Sequence, residues 1–224
     1  MSWRMFSVSA VAGAVIAVTV LASLPGYRNG RITPILAEGP DGTVVESFFF
    51  KSPDDGIALT HSGHLPVAIG PPGVIPLSEP AIDRGFALVL NVHDSHGEII
   101  GFAVELEVHP EGDMLAEDLR WDTEWLLVIP GRGILILHQQ EHSGELGPKV
   151  IDTIVNSAAD WTGDWTVQTT VGPQPDGRGV VVGGTGEFDG AQGSFIEIDH
   201  LTRFTVDGMM VGDFELRVAR VAEG

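Results

Sequence analysis

Cysteine is absent from the 224 residues, which removes disulfides, thiolate zinc sites and a cysteine nucleophile together. Basic residues are scarce, twelve Lys and Arg against thirty-one Asp and Glu, for a formal net charge of −19. A chain of that sign repels phosphate backbones, and no basic stripe interrupts the acidity, so nucleic acid is not expected as a partner. The plainest role of the acidity is solubility. No repeat at a fixed period and no boundary to a second folded domain is legible. Apolar material is not lacking: 43% of residues are hydrophobic, with five Trp and ten Phe. The length suits one β-barrel or sandwich.

Arg4 precedes an unbroken apolar run from Met5 to Leu24, closed by Pro25-Gly26. A positive start and a long apolar centre fit a secretory signal, and a length near ~20 residues also fits a membrane-spanning helix. Residues 1–26 therefore read as a signal peptide or membrane anchor, with cleavage open, and 27–42 as a linker. The 43–224 body is then expected at a membrane, held there by its leader, or exported to a periplasmic or extracellular space.

That body is a series of short β-branched and aromatic runs parted by turn clusters. Strands are expected at Thr43–Lys51, Phe86–His93, Ile99–His109, Leu119–Ile129, Gly133–Gln140, Asp164–Val171, Gly179–Gly183, Gly193–Val206 and Met209–Val218. A long loop is expected at His61–Pro80, a short helix within Pro148–Ala159, and a hairpin turn at Asp207-Gly208. Alternation is plain: Phe102, Val104, Leu106 and Val108 oppose Glu105, Glu107 and His109, while Trp121, Thr123, Trp125, Leu127 and Ile129 oppose Arg120, Asp122 and Glu124. A period of two with one apolar face predicts an antiparallel sheet around a core. The fold class is all-β, an antiparallel closed barrel of about eight strands behind an N-terminal apolar helix, with a sandwich as the alternative.

The stretch from Val180 to Phe195 is VVVGGTGEFDGAQGSF. Gly183, Gly184 and Gly186 let the chain reverse tightly through positive φ, and Phe188 is placed to plug a barrel end. The glycines are not a dinucleotide or phosphate loop, since no Lys follows them and the next segment is a strand. Through Gly183, Gly184, Thr185, Gly186, Phe188, Gly190, Ala191 and Gly193 the segment resembles one shared by allene oxide cyclases and dirigent proteins. The resemblance covers roughly the last forty-five residues. It implies an eight-stranded barrel with a hydrophobic cavity that folds an oxygenated substrate for ring closure or steers radical coupling, with no cofactor.

Candidate residues come from alternation. Glu124 lies between Trp121 and Trp125, and a carboxyl among aromatics would hold its proton and serve as an acid. His138 shares a face with Ile134 and Ile136, continued by Gln140, and an imidazole there could steady developing charge. His138, Gln140 and Glu124 are thus the expected catalytic groups, and Trp121, Trp125, Trp165, Ile136 and Phe102 the expected pocket lining. Each has a plainer role as core or strand surface. Metal spacing is suggested by His93 and His96 with Glu98, by His61 and His64, and by His138 with His142. Yet the His-x-His pair of cupin barrels is missing, and Asp94, Ser95 and Gly97 spell a turn, so no metal is expected. A serine hydrolase elbow, Gly-x-Ser-x-Gly, is absent. The expected function is a cofactor-independent cyclase or isomerase acting on a small hydrophobic oxygenated molecule. The rival is an exported lipocalin-like or dirigent-like binding protein without turnover. The partner expected in either case is a small hydrophobic ligand, with a homo-oligomer as a further possibility.

Overall fold

The structure, a computed structural model, describes residues 37–38, 43–52, 56–60, 85–110, 119–206 and 210–221. The chain divides into Met1–Thr33 and Pro34–Gly224, and the first unit, with the expected leader, lies outside the described residues. So do the expected loop at His61–Pro80 and the Asp207-Gly208 turn. Among the described residues no helix is long and apolar enough to cross a membrane.

Among the described residues, twelve antiparallel strands carry the body. They are β1 (Ala37–Glu38), β2 (Thr43–Ser52), β3 (Gly56–Thr60), β4 (Gly85–His93), β5 (Ile99–Val108), β6 (Arg120–Ile129), β7 (Gly133–His142), β8 (Trp161–Gln168), β9 (Thr170–Gly172), β10 (Gly179–Gly184), β11 (Gly193–Phe204) and β12 (Met210–Val221). Eight of them close a ring in the order β2-β12-β11-β10-β7-β6-β5-β4, completed by Phe49 of β2 opposite His93 of β4. The all-β closed barrel read from alternation is therefore the observed fold.

Three differences from the sequence reading follow from short or split strands. The two-residue β1 pairs with β2 inside the stretch taken as linker, and β3 pairs with β4. The expected Asp164–Val171 strand is broken at Thr169 into β8, which pairs with β11, and β9, which pairs with β7. Between β7 and β11, β10 fills one half of the wall and β8 with β9 the other. The expected helix is a wide turn at Gly147–Ile151 followed by α1 (Asp152–Ser157), which stops at Ala158 in the left-handed region.

One end of the barrel is shut by the β6–β7 hairpin and the Gly186–Phe188 turn. Gly186 has φ +65°, and a Cβ there would meet Arg132 O at 2.3 Å. Gly184 is needed for a different reason than the positive φ expected of it: its backbone passes so close to Ile134 O that a Cβ would sit at 2.0 Å. Thr185 ties the two segments, its N–H donating to Ile134 O at 2.8 Å while its hydroxyl accepts from Ile134 N–H at 3.1 Å. Phe188 is fully buried, as a plug must be. Arg132 and Arg220 stand over its ring at 4.9 and 5.4 Å. Arg132 also makes a forked pair with Glu46, at 2.5 and 2.9 Å, and binds Glu187 at 2.9 and 2.8 Å.

Candidate functional site

The inner face of β6 is the expected one: Trp121, Thr123, Trp125, Leu127 and Ile129 are all buried. Pairing then sets the phase of its neighbours. On β7, Leu137 lies opposite Trp125 and Leu135 opposite Leu127, so Leu135, Leu137, Gln139 and Glu141 point inward. This corrects the expected inward face. Ile136, His138 and Gln140 are on the outer surface, where His138 Nδ1 lies 2.8 Å from Glu124 Oε1 and Gln140 reaches toward Asp122 at 3.4 Å. Both faces of β7 begin with apolar residues and end with polar ones, so its own pattern does not reveal which is buried.

On β5 the inversion is complete. Ala103 pairs with Leu127 and Leu90, and Glu105 with Trp125 and Leu88, so the acidic side faces the interior. Phe102, expected in the pocket, is 43% exposed on the outer wall, beside Leu106 at 42% and Val108 at 68%. Of the expected lining, Trp121 and Trp125 are inside. Trp165 is buried opposite Leu201 under the ammonium of Lys149, 5.4 Å from its ring.

What the barrel holds at mid-height is a set of acids. Oxygens of Glu105 (β5), Glu141 (β7) and Glu197 (β11) lie within 4.8 Å of one another, and all three residues are buried. Asp199 is shielded beside them, and Glu107 stands one inward step above Glu105. Gln139 organises the set. Its amide donates to Glu141 Oε1 at 2.8 Å and to Glu197 Oε2, while its carbonyl accepts from Thr170 Oγ1 at 2.5 Å. Thr170 Oγ1 in turn accepts from the Glu197 N–H at 2.7 Å, so β9 stitches β7 to β11 across the split wall. Trp125 Nε1 donates to Glu197 Oε2 at 3.1 Å.

Among the described residues no lysine or arginine pairs with any of these acids. Burial, then repulsion from Glu107, Glu197, Glu141 and Asp199, pushes Glu105 well above the usual carboxylate range, and nothing opposes it. Burial raises Glu141 and Glu197 as well, with added repulsion from neighbouring acids. Thr123 and Gln139 oppose the rise at Glu141, and Gln139 and Trp125 at Glu197. Asp199 is raised by burial and by Glu141. Proximity of like charges in a dry interior is the physical cause throughout. Three convergent carboxylates could also hold a cation, which would displace those protons.

Sequence reasoning missed this centre. The signal was nonetheless present as three inward i, i+2 pairs: Glu105 with Glu107, Gln139 with Glu141, and Glu197 with Asp199.

No family model matches the chain, and no curated protein matches it. Among solved structures it is similar to the pterocarpan synthase dirigent protein GePTS1, at 12% identity and TM-score 0.40, covering 81% of this chain and 87% of that one. It is similar also to the pterocarpan synthase dirigent protein PsPTS1, at 11% identity and TM-score 0.40, covering 81% and 97%. A third is AbnU, an exo-specific intermolecular Diels-Alderase, at 11% identity and TM-score 0.34, covering 78% and 96%. Two of these three structures are dirigent proteins, and none of the three is an allene oxide cyclase. At this level of likeness no residue role carries over.

Proposed function

We propose that the chain is a cofactor-independent cyclase or isomerase that closes a ring on a small hydrophobic, oxygen-bearing molecule by acid catalysis inside the barrel. The observation that carries this reading is the convergence of Glu105, Glu141 and Glu197 in the buried interior without a described lysine or arginine as partner. A stable core has no use for such an arrangement, because each uncompensated acid costs free energy to bury. Groups held protonated above their ordinary range are instead what general-acid chemistry needs near neutral pH.

The environments separate the roles. Glu105, with no donor to favour its anion, is the proton donor. Glu197, accepting from Trp125 and Gln139, is the group best equipped to carry negative charge. Glu105 passes its proton to the carbonyl or epoxide oxygen of the ligand. A π pair elsewhere in the same molecule attacks the carbon made electron-poor, forming the ring bond. Glu197 then takes the proton lost from the ring, and the cluster returns it to Glu105. Atoms and electrons balance as an isomerisation.

Turnover of apolar enones, epoxides and polyenes tests the proposal. Glu105→Gln should lower turnover by about 100-fold or more, the usual worth of a positioned acid, while the variant still folds and melts no lower than the wild type. Undiminished turnover in that variant would remove Glu105 from the chemistry. Tight binding by the wild type with no turnover of any such molecule would make the protein a carrier.

A further inference from the structure

Two tryptophans on the inner face of β6 differ in one respect. Trp125 satisfies its indole N–H on Glu197 at 3.1 Å. Trp121, two inward steps further from the plugged end, is 9% exposed, and its Nε1–H has no hydrogen-bond partner among the described residues. The ring is not loose: it stacks on the His109 imidazole at 5.0 Å and 17°, and His109 is held by Glu107. Trp121 sits opposite Glu141 in the ladder, so its donor belongs to the acid-lined part of the interior. A buried donor left unmade costs more than a typical hydrogen bond gains, which makes an orphan in a fixed ring a feature in want of an acceptor.

We infer that Trp121 marks an acceptor subsite for the ligand, one that takes a neutral oxygen, such as a ketone, ester or ether, and rejects a carboxylate. This rests on the proposed reading that the barrel interior receives a small molecule. The orphan N–H supplies the attraction. The exclusion comes from the surroundings, because Glu105, Glu107, Glu141, Glu197 and Asp199 face the same space, with His109 tied to Glu107. An anion entering there meets acids and no described lysine or arginine, whereas a neutral carbonyl accepts from Trp121 and from any carboxyl that keeps its proton.

Three probes of one shape separate these terms: acetophenone, ethylbenzene and benzoate, titrated calorimetrically at neutral pH into the wild type and into Trp121→Phe. The wild type should bind acetophenone about tenfold more tightly than ethylbenzene, the worth of one hydrogen bond that satisfies a buried donor, and benzoate more weakly than both. Trp121→Phe should bring acetophenone down to the level of ethylbenzene and leave ethylbenzene unchanged. Benzoate binding as tightly as acetophenone would overturn the inference, and this arm needs no variant. An unchanged preference for acetophenone in Trp121→Phe would overturn it too, while leaving the acid proposal in place. Failure of all three to bind the wild type would remove the small-molecule reading, and the subsite with it.

Discussion

The barrel gathers two groups of charged residues and treats them in opposite ways. At the plugged end, Glu46 and Glu187 meet Arg132 and Arg220, two acids against two bases, with Phe188 beneath the guanidinium groups. Burial alone would lower the Arg132 pKa, but its bonds to Glu46 and Glu187 raise it, and the Arg132 fork holds Glu187 below the usual carboxylate range. At mid-height, Glu141 and Glu197 accept hydrogen bonds, but no described lysine or arginine pairs with them or with Glu105 and Asp199, and all four are pushed up. Compensation marks the first group as architecture, since it fastens the hairpin and the glycine turn to the wall. Its absence leaves the second a cost in stability, one that the proposed acid chemistry would account for.

The comparison is broken most severely by Arg132→Met, which leaves Glu46 buried without its main partner. Loss of about 3–5 kcal/mol is expected in urea unfolding, and a smaller loss than from an ordinary surface substitution would show the cluster to be ornamental. Next come the turn glycines that deliver Glu187 and Phe188. Gly184→Ala and Gly186→Ala should each cost more than ~1 kcal/mol, the first by collision with Ile134 O and the second by strain at positive φ. Wild-type melting in both would mean that the turn does not clamp the barrel end.

The mid-height acids should respond to pH in the opposite sense to Glu187. Their folded pKa values are raised, so the stability they contribute is complete below the ordinary carboxylate range and is lost as pH rises through the raised values. Glu187 is lowered, so its contribution is present above the ordinary range and is lost as pH falls. Melting temperature should therefore drop between mildly acidic and mildly alkaline buffer. Glu105→Gln should flatten that drop, raising Tm by roughly 2–4 °C per kcal/mol recovered on the alkaline side. A pH profile identical to that of the wild type would mean that Glu105 is ionised in the fold at no cost. The smallest effect belongs to His138→Leu, on the outer wall: a change within about 0.5 kcal/mol and unaltered turnover. Loss of turnover there would return His138 to the site.

The fold was legible because most strands are long, alternate cleanly and are separated by turn chemistry that admits few alternatives. Asp94 shows this: its carboxylate accepts the N–H of His96 at 2.8 Å and of Glu98 at 3.0 Å, with Gly97 at φ +79°. That is a hairpin turn, as Asp94, Ser95 and Gly97 led us to expect. The Gly184–Phe188 turn was legible in kind, though at Gly184 the reason is a close approach. The site was not legible, because alternation gives a period and not a phase. On β5 the apolar row looked like the core, yet it faces outward, since Ala103 and Glu105 are the residues that ladder against Leu127 and Trp125. On β7 the two rows are nearly equivalent, and the hairpin register decides between them. A rule that buries the greasier side assigns polar interiors backwards.

The unpaired acids also make folding a chemical reaction with a solvent component. Unfolded, those carboxyls titrate as ordinary ones; folded, they keep their protons well above that range. Above the ordinary carboxylate range the chain should therefore draw hydrogen ions from its buffer as the barrel closes. The heat recorded for closure will then depend on which buffer supplies them, differing between phosphate and Tris for the same protein at the same pH. The slope against buffer ionisation heat counts the protons taken up, and so reads the charge state of the barrel interior without any ligand or substrate in hand.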